Sequence, residues 1–328
     1  MAAWTEHRLI EKIRKACVNR ADGLLTSIGD DCCEVTAPGS FLISMDSLVE
    51  GVHFDSSFHP PHLLGRKSIA VNLSDIAAMG GRPRFVLLSL CLPEDLEWHW
   101  ISSWLDGVFE ILTEHRCVLI GGDTVKAGEL VVTVTVLGEP PDSGAIYRNN
   151  AAEGDTVWVS GNLGSAGGGL RILSDCASTI ADSSAHYASL VKAHLDPVPL
   201  VALGQRLARS GLVTAMQDIS DGLATDLAHI CKASGVSATI TADLLPYLPE
   251  LANLSKSLHL DLDKLILCSG EDYQLVFTVK GGCEDLFFEQ FSETVSAPVK
   301  IGMIGSGAGV FLKKGGQSVE ISFQGYEH

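Results

Sequence analysis

The chain has 328 residues, 46% apolar and 19% charged, the balance of a folded globular protein, and this length predicts two domains of about 150 residues each. A formal net charge of -17 excludes the basic stripe of a nucleic-acid surface, and it would repel a polyphosphate substrate unless divalent cations intervened. Nine cysteines without a Cys-x-x-Cys pair exclude zinc ribbons and thioredoxin-type chemistry, and their scatter through apolar segments predicts reduced thiols in a cytoplasm.

The charged segment 1–20 has no signal-peptide core, and no run of about 18 apolar residues predicts a membrane span. The spacing of Leu9, Ile13 and Cys17 predicts a helix over 5–18, with Thr5 as its N-cap. A loop, Ser27-Ile28-Gly29-Asp30-Asp31, comes next. The run 41–45 reads as a strand ending on Asp46, ahead of a Pro- and His-rich connection that contains His53.

A helix is expected from about 62 to 80. Leu73, Ile76, Ala77 and Gly80 share one side of it, and Val71, Ala78 and Met79 broaden the apolar surface around Asp75. A helix apolar on most of its circumference is buried, where a carboxylate is paired or metal-bound; alternatively Asn72 and Asp75 form a wet polar face. This segment alone leaves both readings open.

Residues 85–92 read as a buried strand, and 94–115 as a helix with Trp100, Trp104, Val108 and Ile111 on one face. A strand over 117–120 delivers Gly121-Gly122-Asp123-Thr124, and 130–137 alternates Val with Thr as a half-buried strand. The turn-rich stretch 138–153, which includes Arg148, is the natural boundary, so the expected domains are 1–140 and 150–328. Beyond it come a strand over 156–160, a glycine-rich turn over 161–169, and helices near 165–175, 184–195 and 199–210. A strand over 213–216 then ends in Asp218-Ile219-Ser220-Asp221-Gly222 and leads into a helix to 233. Further strands are expected over 238–241, 271–279, 299–304 and 309–312, so each half is α/β or α+β.

Aspartates and glutamates recur where apolar segments end: Asp30 and Asp31, Asp46, Asp75, Asp123, Asp218 and Asp221, then Glu271 and Asp272. Several stand beside glycine, which permits sharp turns or close approach of the backbone to a ligand, although each pair alone is ordinary turn chemistry. Taken together, such oxygen-only clusters suit several Mg²⁺ ions, because carboxylates gathered without cations repel one another. There is no Gly-Lys dipeptide and hence no P-loop, no protein-kinase signature and no Gly-x-Ser-x-Gly elbow. The turn 161–169 lacks the dinucleotide fingerprint; its amides either meet an anion or serve helix packing. His53, beside the Asp46 segment, is a candidate substrate contact, whereas His59, His62, His99, His115 and His186 show no metal-ligand spacing.

In order, the motifs Ile28-Gly29-Asp30-Asp31-Cys32, Asp46 to Phe54, Ala70 to Gly80, Ile120 to Thr124, Asp218 to Leu223, Gly270 to Tyr273 and Phe323 to His328 resemble the thiamine-monophosphate kinase family. That family belongs to the superfamily of aminoimidazole ribonucleotide synthetase. The resemblance covers nearly the whole chain and implies ATP-dependent phosphorylation of thiamine phosphate to thiamine diphosphate, with ATP as co-substrate and several Mg²⁺ ions. By motif, it implies Asp30, Asp31, Ser44, Met45, Asp46, Asp75, Asp123, Asp218 and Asp221 as the metal-binding set, with Asp75 and Asp218 central to catalysis. It implies Gly122, Asp123, Arg148 and Ser220 at ATP, and His53, Glu271 and Phe323 at thiamine phosphate. The implied fold is two-domain and aminoimidazole ribonucleotide synthetase-like, its N-terminal strands closing a barrel across a homodimer.

Three departures stand out. Met45 replaces a common threonine and would offer only its backbone oxygen; Ser269 replaces a glycine, and Phe323 replaces a frequent tryptophan, which softens stacking. Rival readings are another ATP-using member of the superfamily (an aminoimidazole ribonucleotide synthetase, a selenophosphate synthetase or a hydrogenase maturation protein) and a non-catalytic nucleotide-binding protein. The selenophosphate reading would want a reactive cysteine in a glycine-rich N-terminal segment, and the maturation reading a C-terminal cysteine, whereas this chain ends Gly325-Tyr326-Glu327-His328.

Overall fold

The computed structural model describes residues 4–17, 21–27, 33–36, 39–174, 186–292 and 297–325. It divides the chain into two compact units, Met1–Ile76 with Gly81–Pro140, and Ala77–Gly80 with Pro141–His328.

In the N-terminal unit, helix α1 (Glu6–Ala16) starts where the Thr5 hydroxyl accepts from the Arg8 amide at 3.3 Å, and it buries Leu9, Ile13 and Cys17. A short antiparallel pair follows, β1 (Leu24–Thr26) and β2 (Glu34–Val35). Next come β3 (Leu42–Val49), α2 (Pro61–Ala78), β4 (Arg82–Leu92), α3 (Trp98–Glu114), β5 (Val118–Lys126) and β6 (Val131–Glu139). The four long strands form an open sheet in the order β3-β6-β4-β5, in which only β4 and β5 run parallel. A parallel pair needs a crossover, and α3 supplies it. The alternation in β6 buries Val132, Val134 and Val136 and leaves Thr133 and Thr135 half-buried.

Helices α2 and α3 cross at glycines. A Cβ on Gly65 would lie 2.0 Å from the Trp104 carbonyl oxygen, and one on Gly107 would lie 1.9 Å from that of His62. This approach removes α2 from water: every residue from Lys67 to Ser74 is buried, and so are Ile76, Ala77 and Ala78. The wet-face alternative therefore fails, and Asp75 is the one partly exposed residue in that run.

Two expected strand ends move. Asp46 is internal to β3, which runs on to Val49, and Gly121-Gly122-Asp123 lies inside β5. Both strands are outer strands of the sheet, where one backbone edge is unshared and apolar continuity is not required. Among the described residues the four-stranded sheet is open, with Ile43 and Met45 exposed at 66% and 63%.

The C-terminal unit contains β7 (Thr156–Val159), α4 (Ser165–Ser174), α5 (Ala188–Leu195), α6 (Val201–Ser210), β8 (Val213–Asp218), α7 (Leu223–Ser234) and β9 (Ser237–Thr241). It continues through α8 (Pro249–Ser257), α9 (Leu262–Cys268), β10 (Leu275–Val279), α10 (Glu284–Phe291), β11 (Val299–Gly305), β12 (Gly309–Lys314) and β13 (Gln317–Glu320). Its sheet order is β13-β12-β9-β11-β7-β10-β8, antiparallel except for β9 and β12. Alternation along β7 sends Val157 and Val159 into a core with Leu190, Leu227 and Leu251, and Trp158 into a second core with Phe277, Phe287 and Phe291. Helices therefore cover both faces. The strand expected over 271–279 begins only at Leu275, because 271–274 is a loop. Among the described residues, no helix is long and apolar enough to cross a membrane.

Candidate functional site

In the N-terminal unit the candidate residues gather where α2 meets β3. The Ser44 hydroxyl donates to Asp75 Oδ2 at 2.5 Å. Asn72, wholly buried one turn earlier, accepts from the Asp46 amide at 3.1 Å and donates to the Ser68 carbonyl at 3.2 Å. Asn72 is thus a clamp that ties the free edge of β3 to the helix bearing Asp75. Strand alternation places Ser44 and Asp46 on one face and Met45 on the other. In the turn after β3, His53 Nδ1 accepts from the Val49 amide at 3.1 Å, which leaves the ring proton on Nε2.

Asp123 does not join this group. It lies on β5, three strand spacings from β3, roughly 14 Å measured along the sheet. Next to it, a Cβ on Gly122 would lie 1.9 Å from the Leu88 carbonyl oxygen, so only glycine fits there. Asp30 and Asp31 lie outside the described residues. Among the described residues, no three His, Cys, Asp or Glu side chains come together as a ready-made metal cage.

In the C-terminal unit, β8 ends on the buried Asp218, and a four-residue loop carries Ser220 and Asp221 into α7. Asp226, in the first turn of α7, organises this loop. One of its oxygens accepts from Gln217 Nε2 at 2.8 Å and the other from the Asp221 amide at 3.0 Å. Its carboxyl is pushed up to about 8 by burial first, then by the charges of Asp218 and Asp221. Sequence reasoning missed Asp226; the signal available was a second acid five residues after Asp221, in a first helical turn.

The loop 270–274 is tied to this one. The Glu271 amide donates to the Ser220 carbonyl at 2.7 Å, and the Tyr273 amide to that of Ile219 at 2.9 Å. A Cβ on Gly270 would sit 2.4 Å from the Ser220 oxygen, so the contact demands glycine. Glu271 and Tyr273 both hold left-handed backbone, with φ of 65° and 47°. The Glu271 carboxylate lies 3.2 Å from Nδ1 of the buried His194.

Between them, Asp272 turns the other way and accepts from the amides of Gly164 at 2.6 Å and Ala166 at 3.1 Å. The turn 161–169 thus spends these donors on the chain's own carboxylate, which corrects the exogenous-anion alternative. Burial of the Asp272 carboxyl pushes it up to about 7, against the lowering effect of its backbone donors. As the pH rises from about 4 to about 7, the unfolded chain has lost this proton while the folded chain still holds it. The stabilisation present below the unfolded value is therefore lost through that window. Thermal midpoints should fall between about pH 5 and pH 8, and Asp272→Asn should flatten part of that slope. An unchanged slope in the variant would remove Asp272 from the account.

Arg148 and Phe323 converge on α7. The Arg148 carbonyl accepts from the Ser234 hydroxyl at 3.0 Å, leaving its side chain exposed. His229 meets the Phe323 ring edge-on at 5.3 Å between centroids, and its pKa is lowered by burial first and then by the Arg148 charge, against Asp221. Downstream of Phe323, the Gly325 amide donates to the Thr225 hydroxyl at 2.9 Å, and a Cβ on Gly325 would lie 2.1 Å from the Asp221 carbonyl oxygen. Sequence reasoning did not single out His229 or Lys232, whose ammonium stands 5.8 Å from the Phe323 ring.

The described cysteines offer no reactive thiol in the buried set. Burial pushes Cys17 up to about 11, and Cys117 and Cys231 up to about 12.

Residues 29–139 match the family described as AIR synthase related protein, N-terminal domain, and residues 152–314 match AIR synthase related protein, C-terminal domain. The chain is 36% identical over 312 residues to the thiamine-monophosphate kinase of Salmonella typhimurium, covering 92% of this chain and 91% of that one. Among solved structures, thiamine-monophosphate kinase from Stenotrophomonas maltophilia K279a is 36% identical, with a TM-score of 0.83 over 95% of this chain and 98% of that one. AaThiL complexed with AMPPCP and TMP is 31% identical, with a TM-score of 0.76 over 97% of this chain and 95% of that one.

Proposed function

Because this chain belongs to the thiamine-monophosphate kinase family, we infer that it is a kinase that transfers a phosphoryl group from ATP to thiamine phosphate, giving thiamine diphosphate. The observation that carries this reading is identity of 36% over more than nine-tenths of both chains, joined to a similar structure holding AMPPCP and TMP.

The reaction breaks the bond between the γ-phosphorus of ATP and its bridging oxygen and joins that phosphorus to an oxygen of thiamine phosphate, with ADP leaving. A phosphate nucleophile is already ionised at neutral pH, so the protein needs no general base, only positioning and charge neutralisation. We assign ATP to Gly122, Asp123, Arg148 and Ser220, and thiamine phosphate to His53, Glu271 and Phe323.

The residues fit Mg²⁺. Their donors are all oxygen, and the charges of Asp218 and Asp221 together raise the Asp226 carboxyl. Mg²⁺ commonly takes one or two carboxylates and completes its shell with water and substrate phosphates. Asp30, Asp31, Ser44, the Met45 backbone, Asp46, Asp75, Asp123, Asp218 and Asp221 would hold several ions. When bound, they would neutralise phosphate charge that a protein of net charge -17 otherwise repels. With ATP and thiamine phosphate supplied, a chelator is expected to stop formation of thiamine diphosphate and excess Mg²⁺ to restore it. Continued turnover in the chelator would overturn the metal assignment, and absence of the product under all conditions would overturn the function.

We also assign a cytoplasmic homodimer in which two open sheets close into one barrel. Two features support the homodimer: the exposed Ile43 and Met45 on the sheet face, and the unshared edges of β3 and β5. Edge-to-edge closure would also bring Asp123 of one copy toward Asp46 of the other, which a single sheet keeps apart. Met45→Lys is expected to halve the mass measured by sedimentation; an unchanged mass would sink this face as the interface.

A further inference from the structure

The glycines of α4 have no role in the assignments above, and neither does the buried histidine of α5. His194 is 2% exposed, and its Nδ1 lies 3.2 Å from the Glu271 carboxylate, whose side chain keeps 24% of its surface open. The imidazole of the pair is therefore enclosed, whereas the Glu271 side chain remains partly accessible.

Helix α4 sets the spacing between these two groups. A Cβ on Gly169 would meet the Leu190 carbonyl oxygen at 2.2 Å and His194 Cβ at 3.0 Å, so α5 rests directly on the α4 backbone. A Cβ on Gly167 would meet Ser269 Oγ at 2.3 Å, so the segment leading to Glu271 rests on the same helix. Asp272 fastens the start of α4 through the Gly164 and Ala166 amides. Glu271 itself has left-handed backbone, and its amide donates a hydrogen bond to the Ser220 carbonyl. These contacts fix the backbone that carries His194 and Glu271.

We propose that His194 is a positioning residue that orients the Glu271 carboxylate toward thiamine phosphate, with the α4 glycines setting its distance. The assignment rests on Glu271 serving thiamine phosphate. A long carboxylate side chain loses several rotamers when it is fixed, so orienting it in advance raises affinity for the group it meets without altering the transfer step.

The test uses the full-length enzyme with Mg²⁺ and measures KM for each substrate, kcat and thermal midpoint. His194→Ala and His194→Leu, the second of which fills the space, are expected to raise KM for thiamine phosphate about 10-fold, with KM for ATP and kcat changed less than about 2-fold. His194→Asn, which keeps an N–H near the Nδ1 position, is expected to restore KM to within about 3-fold of wild type. Gly169→Ala, which pushes α5 away, is expected to raise the same KM. If folded His194→Leu leaves KM for thiamine phosphate unchanged, or moves KM for ATP equally, the assignment to His194 is overturned. Glu271→Gln separates the two layers. If it raises KM while His194→Leu does not, only the role of His194 falls. If it leaves KM unchanged, the substrate role of Glu271 falls and the proposal falls with it.

Discussion

Replacing Asp75 with asparagine is expected to lower kcat by on the order of 10²- to 10³-fold while moving the thermal midpoint by no more than about 2 °C. The two side chains have the same shape, and an asparagine oxygen still accepts the Ser44 hydroxyl that now donates to Asp75 at 2.5 Å. What the substitution removes is one negative charge in a chain already carrying -17, so a loss of activity with an intact fold isolates electrostatics from packing.

Compensation by movement is closed off. The residues on both sides of Asp75 are buried, and α2 and α3 touch through backbone at Gly65 and Gly107, so the helix cannot roll to present another group. The KM for Mg²⁺ should rise along with the fall in kcat. Near-normal turnover at limiting Mg²⁺ would show that Asp75 is a structural partner of Ser44 and nothing more.

The burial of α2 was half legible in the sequence: its mostly apolar circumference pointed inward, but Asn72 and Asp75 offered a wet face as the alternative, and the backbone contacts at Gly65 and Gly107 decide between them. The partner of Asn72 was not legible, since it is a backbone amide on a strand, and a buried amide side chain accepts a backbone donor as readily as a side-chain one. The limits of β3 and β5 were misplaced for a related reason. On an outer strand the charged residues that seem to end an apolar run, Asp46 and Asp123, can continue the ladder with their side chains in the open.

The turn 161–169 displayed its donors plainly, but the carboxylate that satisfies them comes more than 100 residues later, at Asp272. Pairings this distant leave no periodic trace. Short helices also escaped: α8, α9 and α10 span only two turns each, below the length at which a 3.6-residue period separates from chance. The ordered motifs, by contrast, needed no pairing information, and they carried the family relationship.

Asp226 is the group whose role the sequence concealed most fully, and Asp226→Asn is expected to cost about 10- to 100-fold in Mg²⁺ affinity or activity. Both of its oxygens accept, one from the Gln217 amide group at 2.8 Å and one from the Asp221 backbone at 3.0 Å. An asparagine can satisfy only one of these donors; its own NH₂ must then face the other donor, in a site with no exposure to water. If the clash falls on the backbone, the loop turns and Asp221 shifts. If it falls on Gln217, the last residues of β8 shift with Asp218. Either way a proposed metal-binding carboxylate moves, although the substituted side chain touches no substrate. The effect should appear as a raised Mg²⁺ requirement, partly overcome by excess Mg²⁺, which a simple loss of stability would not show. A variant that folds with wild-type Mg²⁺ dependence would mean that Asp226 bonds Gln217 and the Asp221 amide without setting where Asp218 and Asp221 sit.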